Sequence, residues 1–407
     1  MNIAFITLNY PEDEKQTNLY TDLMEEFKRN GHEVTVICQT EKRKGKSTGI
    51  INHRCIPVLR VRTGNITKTK MLEKGISTLL LENQFIKAIK SHLNDKKFDL
   101  VLYSTPPITF EKVIKFFKST QNAATYLLLK DIFPQNAVDI GLLKENSLIH
   151  RYFKQKEKKL YEISDIIGCM SDGNKQFLLT HHPEINEEKI EVNPNTILPT
   201  DKNVINSNIS IREKFNIPEQ ALLFIYGGNL GKPQGIDFLI QSLNLYKNQK
   251  EVFFLIVGSG TEYNKIQHYI EKTNVSNIIL KNFMLKDEYD QLVESSDIGL
   301  IYLDERFTIP NIPSRLTGYM DSSKPVLAVT DKNTDLKEII KDAECGYFTP
   351  AGDEKSFVNT IEKIKSEKEL LRTLGKNGRQ YLEKNFHVAK SYEKIIKHYK
   401  DGVEDFV

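Results

Sequence analysis

Residues 221–240 constrain this chain most. An apolar run of strand length ending at Tyr226 breaks into Gly227-Gly228-Asn229-Leu230-Gly231-Lys232-Pro233-Gln234-Gly235, then resumes at Ile236, Leu239 and Ile240 with helical spacing. That order predicts a strand, a glycine loop and a helix. Glycine lets the backbone approach a bulky anion, a helix N-terminus turns free N–H groups toward it, and Lys232 adds a full charge. Two readings stay open: a phosphate or diphosphate cradle, and a tight strand-to-helix turn of any α/β protein.

The rest of the chain places this unit in a larger frame. A length of 407 residues exceeds what one core supports and predicts two domains. The longest apolar runs are strand-sized, far short of the roughly 20 residues that span a bilayer. Met1 leads straight into Asn2-Ile3-Ala4-Phe5-Ile6-Thr7-Leu8, which reads as a first strand and not as a signal peptide. Cys38, Cys55, Cys169 and Cys345 form no CxxC pair, as in a reduced cytosolic protein without structural zinc. Strands are expected near residues 2–8, 34–38, 99–103, 125–129, 165–170 and 190–192, with helices between most of them. After a polar linker at 199–210, further strands are expected near 222–226, 252–257, 277–280, 297–303 and 325–329. This alternation predicts two doubly wound α/β sheets, with ligands outside the carboxyl ends of their strands. A final helix is expected over about 388–399.

Net charge is only +3, so composition implies no polyanion. The basic residues are nevertheless concentrated between Lys42 and Lys130, Lys68 among them. Lys112, Lys115 and Lys118 follow a helix with an apolar stripe, and the segment from Arg60 to Lys74 carries Ile66, Met71 and Leu72 in what reads as a loop. This mixture suits an anionic membrane surface, with a solvated lysine-rich face as the alternative. No recognition helix or aromatic platform accompanies it, so nucleic acid is not expected.

Several motifs together resemble the retaining GT-B glycosyltransferases, in particular the bacterial branch that builds capsules, O-antigens and exopolysaccharides. They are Gly31-His32-Glu33-Val34-Thr35-Val36, the 226–235 loop, Val257-Gly258-Ser259-Gly260, Pro313-Ser314-Arg315-Leu316, Lys324-Pro325-Val326-Leu327-Ala328 and Leu129-Lys130-Asp131-Ile132-Phe133-Pro134. The resemblance implies a GT-B fold: two Rossmann-like, doubly wound domains facing a central cleft. Residues 1–198 would bind the acceptor and 199–385 the nucleotide-sugar donor, with a C-terminal helix at 386–407 packing back on the first domain. It implies no metal and no cofactor beyond the nucleotide sugar, UDP being the favoured nucleotide and the sugar a hexosyl or N-acetylhexosaminyl unit. The acceptor would be a polyprenyl-diphosphate-linked glycan, and the protein cytoplasmic and peripheral on the inner face of the plasma membrane. Retention would proceed by front-face attack without a protein nucleophile.

On this resemblance Gly227, Gly228, Asn229, Gly231, Lys232, Gly258, Ser259, Gly260, Phe283, Met284, Asn311, Ser314 and Arg315 are the donor-site candidates. Lys232 and Arg315 would neutralise the leaving diphosphate, and Asp131 would orient the acceptor or support transition-state charge. Lys130, Ser104 and Thr105 join Asp131 as acceptor-site candidates. Helix capping remains the alternative for Asp131. The sequence departs from the family where an arginine and a lysine would stand at Asn229 and Gln234, where two glutamates would stand at Pro310 and Gly318, and where a glycine pair would follow the first strand. These losses keep a second reading open, a catalytically silent GT-B subunit that binds a partner transferase. A sugar-nucleotide epimerase fits less well, since no set of catalytic carboxylates and histidine can be identified. His181-His182 lacks matching metal ligands, and Asp331 and Asp335 are expected to cap a helix.

Overall fold

The computed structural model describes residues 1–67, 69–201 and 211–399. The chain falls into two units, Met1–Leu198 with the segment from Val388 onward, and Pro199–His387. Lys68, most of the expected 199–210 linker and the end of the expected C-terminal helix lie outside the described residues.

The first unit holds an eight-stranded sheet: β1 (Asn2–Thr7), β2 (Glu33–Glu41), β3 (Gly49–His53), β4 (Ile56–Thr63), β5 (Leu100–Ser104), β6 (Ala124–Leu129), β7 (Ile166–Cys169) and β8 (Ile190–Val192). Its order is β3-β4-β2-β1-β5-β6-β7-β8, parallel except for the β3–β4 pair. Near-continuous burial along β1, β2, β5 and β6 suits a parallel sheet covered on both faces.

The stretch from Arg60 to Lys74 is not a loop throughout, and this corrects the sequence reading. Arg60 to Thr63 belong to β4, and Met71 opens the helix Met71–His92. Arg60 can lie buried in a strand because its guanidinium donates to the carbonyls of Tyr10 (2.8 Å) and Pro11. Much of the basic stretch is also spent internally. Glu12 accepts from Lys44 and Lys46, both at 2.7 Å, and these bonds hold its carboxyl down at about 2. Arg54 pairs with Glu25 at 2.9 Å, and Lys118 with Asp165.

The second unit holds β9 (Leu222–Asn229), β10 (Val252–Ser259), β11 (Ile278–Lys281), β12 (Ile298–Tyr302), β13 (Val326–Thr330) and β14 (Gly346–Pro350), all parallel, in the order β11-β10-β9-β12-β13-β14. This is the Rossmann order, and its direction reverses between β9 and β12, the place where such sheets bind ligands. After β9 comes a 3-10 turn (Lys232–Gln234) and then the helix Ile236–Leu245, which buries Ile236, Leu239 and Leu243 in the core with Phe224 and Phe254.

Beyond His387 the chain returns to the first unit. Helix Val388–Ile396 seats Val388, Ile395 and Ile396 in that unit's core, and Tyr392 packs edge-on against Phe27 at 5.0 Å. Tyr399 donates to the Thr125 carbonyl at 3.2 Å.

Candidate active site

In the second unit the glycine loop lies over the carboxyl ends of β9 and β12. The N–H of Asp304 donates to the Pro233 carbonyl at 3.0 Å, and a Cβ on Gly235, at φ 55°, would meet the Leu303 carbonyl at 3.0 Å. The sequence reading placed Gly258, Ser259 and Gly260 at the donor. They back the loop: Leu230 donates to the Ser259 carbonyl at 3.0 Å, and Cβ atoms on Gly258 and Gly260 would stand 1.9 and 2.2 Å from the Gly228 and Leu230 carbonyl oxygens. Gly227 is small for another reason. A Cβ there would stand 1.9 Å from the Tyr289 hydroxyl.

Asn229 and Gln234 occupy the positions of the two missing cations and bond to each other. Asn229 Nδ2 donates to Gln234 Oε1 at 3.0 Å, and the same oxygen accepts from the Gly231 N–H at 3.2 Å. The loop is thus closed by a neutral pair. Lys232 is exposed and makes no ion pair among the described residues.

Arg315 supplies the enclosed positive charge. It opens the helix Arg315–Asp321, and its guanidinium stacks over the Tyr226 ring at 4.5 Å, with one nitrogen 3.5 Å from where a Gly228 Cβ would be. Its Nη1 is buried without a hydrogen-bond partner, and no carboxylate pairs with it among the described residues. Burial opposes its charge, yet the surrounding Tyr226, Tyr319 and Tyr289 hold it above its ordinary value. Tyr226 in turn donates to the Asn229 carbonyl at 2.7 Å, so cation, ring and loop form one assembly. Sequence reasoning did not name Tyr289, and it named Tyr226 and Gln234 only as the start of the loop and the place of a missing lysine, not as site residues. The glycines signalled that something bulky comes close, but not which side chain.

The remaining donor candidates are more scattered. Phe283 is 72% exposed beyond the carboxyl end of β11, with Met284 partly buried beside it. Ser314 is exposed, and Asn311 donates to the Ile309 carbonyl at 3.3 Å. A Cβ on Gly318 would meet nothing within 4 Å.

In the first unit, Lys130 and Asp131 follow the carboxyl end of β6. Thr105 Oγ1 accepts from both of their N–H groups, at 3.0 and 3.2 Å, and donates to the Asp131 carbonyl at 3.2 Å. Ser104 donates to Thr7 at 3.1 Å. Both hydroxyls are buried and bonded internally, so they shape the site from beneath. Lys130 Nζ donates to the carbonyls of Asn193 (3.1 Å) and Pro194 (3.3 Å), and burial pulls its ammonium down to about 7. Asp131 accepts from Asn136 Nδ2 at 2.5 Å, while burial pushes its carboxyl up to about 6. It does not cap the helix Gln135–Asp139, whose N-cap is Pro134. His182 is buried against Tyr161, and Asp335 occupies an N-cap position without a side-chain cap bond. Among the described residues no three His, Cys, Asp or Glu side chains are grouped to hold a metal ion.

Residues 207–381, which carry this loop and Arg315, match the family described as glycosyl transferases group 1. That stretch is similar to group 1 glycosyltransferases, and the chain has the GT-B fold. The chain aligns with WbjE of Pseudomonas aeruginosa, described as a probable glycosyltransferase, at 24% identity over 340 residues, 81% of this chain and 80% of that protein. CapM of Staphylococcus aureus, a capsular polysaccharide biosynthesis glycosyltransferase, is 24% identical over 273 residues, covering 66% of this chain and 63% of its own length. The structure of Anabaena HepE in complex with UDP-glucose superposes with a TM-score of 0.70 at 15% identity, over 98% of this chain and all of HepE.

Proposed function

We propose that the protein is a retaining glycosyltransferase of bacterial surface polysaccharide biosynthesis, moving a sugar from a nucleotide diphosphate donor, UDP-sugar first among them, to a lipid-linked glycan. The capsular role of CapM and the UDP-glucose bound to HepE support substrate classes of this kind. The observation that carries the reading is Arg315. An enclosed guanidinium with an unpartnered nitrogen and no carboxylate mate among the described residues is costly unless an anion completes it, and it lies against the glycine loop that lets a diphosphate come close. Donor binding is assigned to the second unit and acceptor binding to the first.

In the reaction, the acceptor hydroxyl oxygen bonds to the anomeric carbon as the bond from that carbon to the diphosphate oxygen breaks. The hydroxyl proton passes to the departing phosphate oxygen, and nucleoside diphosphate leaves. Arg315 and Lys232 meet the charge that builds on the diphosphate, so no divalent metal is needed. Asp131, a carboxylate above about pH 6, orients the acceptor hydroxyl. Phe283 offers a face to the base. The acceptor's lipid brings the first unit to an anionic membrane surface at the inner leaflet.

Calorimetric titration with UDP and GDP, followed by donor hydrolysis assays in EDTA, tests this reading. UDP binding that weakens at least tenfold in Arg315→Gln, with metal-independent turnover of a UDP-sugar, is the expected result. Nucleotide binding without turnover on any donor would favour a silent subunit, to which the neutral Asn229–Gln234 pair lends some weight. No binding of either nucleotide would end the proposal.

A further inference from the structure

Helix Met71–His92 is apolar on two sides. Its inner stripe, Leu81, Phe85, Ala88 and Ile89, is buried in the first unit. Its outer stripe, Leu72, Ile76, Leu79 and Leu80, recurs at helical spacing and is 84, 61, 59 and 47% exposed. Single exposed leucines are ordinary, but an ordered stripe marks a contact surface.

A second helix extends it. Leu148 and Ile149 open the helix Leu148–Ile163 at 84 and 58% exposure, and Lys156 of that helix reaches back to Glu82 of the first at 3.0 Å. Helix Met71–His92 follows the carboxyl end of β4, while Leu148–Ile163 runs into the amino end of β7. The starts of both therefore lie toward the carboxyl edge of the sheet, the edge at which Asp131 follows β6. Lys70, Lys74, Lys144 and Arg151 are exposed at these same starts, and none forms an ion pair among the described residues. Glu145 is the exposed acid beside them, whereas Glu73 is occupied by Lys42, Asn65 and Thr69. By contrast, the helix Glu111–Gln121, which carries Lys112 and Lys115, buries Val113, Ile114 and Phe117 and commits Lys118 to Asp165. No described helix is long and apolar enough to cross a membrane.

We propose that the outer faces of helices Met71–His92 and Leu148–Ile163 form one surface that rests on an anionic phospholipid bilayer, with the leucines entering the headgroup boundary and the basic rim on the lipid phosphates. Rimming cations favour a bilayer over a second copy of this equally basic face, because two such faces would repel. The inference deepens the membrane reading above and rests on it. It places the acceptor end of the first unit at the lipid surface, where a polyprenyl-linked glycan would be presented.

The test is co-sedimentation of the full-length protein with phosphatidylcholine vesicles, with and without phosphatidylglycerol, at low and high salt. The parent is expected to bind only the anionic vesicles and to keep a fraction bound at high salt, because apolar insertion is not screened. Leu72→Ser with Ile76→Ser, and separately Leu148→Ser with Ile149→Ser, should each lower partitioning about tenfold or more and abolish the salt-resistant fraction. Unchanged melting curves would show that these variants fold, and Lys112→Glu with Lys115→Glu should bind as the parent does. If the serine variants bind normally, the surface is wrongly placed while the membrane reading stands. A parent that ignores anionic vesicles at low salt overturns the membrane reading itself. Self-association of the parent that the serine variants abolish, without lipid binding, would assign the face to a second copy and overturn the proposal.

Discussion

Arg315 and Asp131 are both charged groups held where water is scarce, and the structure treats them oppositely. Arg315 keeps its charge against the Tyr226 ring with one nitrogen left open. On the proposed reading, in which Arg315 meets the leaving diphosphate, replacing it with glutamine should reduce turnover by about 100-fold or more, while Lys232→Ala, which removes an exposed chain, should cost less. The double variant should be less than additive if both cations touch one diphosphate, as a kinetic cycle will show. Asp131 is pushed up to about 6 by burial, from an ordinary 3.8. A raised carboxyl weakens the fold once it ionises, so its penalty is absent below about pH 4 and complete above about pH 6. Asp131→Asn should therefore leave stability unchanged at pH 4 and raise it by up to about 3 kcal/mol at pH 8, while removing the rise in activity through pH 6. Denaturant titrations at the two pH values would decide this, and an equal effect at both would refute it. The position of Asp131 at a strand end was legible in the sequence. The work of Thr105 was not, because a hydroxyl that pins a backbone from beneath reads the same as one that lines a cleft.

At the level of elements, legibility followed how sharply a segment's chemistry limits its backbone. The apolar run, glycines and helical spacing at 221–240 admit one local structure, and β9, the 3-10 turn and helix Ile236–Leu245 follow it. The β3–β4 hairpin was missed because its turn is made by Arg54 and Cys55 at φ 50 and 59°, without the Asn-Gly that usually announces such a turn. Helix Met71–His92 escaped notice because two apolar faces blur the 3.6-residue period, and β14 because a glycine and a proline bound an edge strand. The glycine loop also makes a prediction as a unit. A methyl on Gly258 would strike the Gly228 carbonyl at 1.9 Å, a backbone atom that cannot swing away as a side chain can. Gly258→Ala should displace the loop, cost roughly 1–3 kcal/mol and weaken nucleotide binding. Gly318→Ala, which meets open space within a helix, should stabilise by about 0.5–1 kcal/mol and leave binding intact. Thermal melts with and without UDP would separate the two.

For the whole molecule, the telling feature is that the chain passes from the first unit to the second at Leu198 and returns at Val388. The first core is therefore incomplete until the last helix has been made. Ile395 is fully buried among residues that include Val388 and Ile396, and the nearby Tyr392 ring packs on Phe27 and meets His32 Nε2 at 3.1 Å through its hydroxyl. Each unit has its own sheet and its own apolar core, which predicts two separable unfolding transitions. Ile395→Ala leaves a cavity in the first core alone, at a cost of about 2–5 kcal/mol, and should lower one transition by on the order of 10 °C. Leu243→Ala, equally buried in the second core, should lower the other, and UDP should raise only that one. Differential scanning calorimetry of the two variants gives the answer. If both substitutions shift a single shared transition, the units unfold as one body, and the returning helix stabilises the whole chain and not the first unit alone.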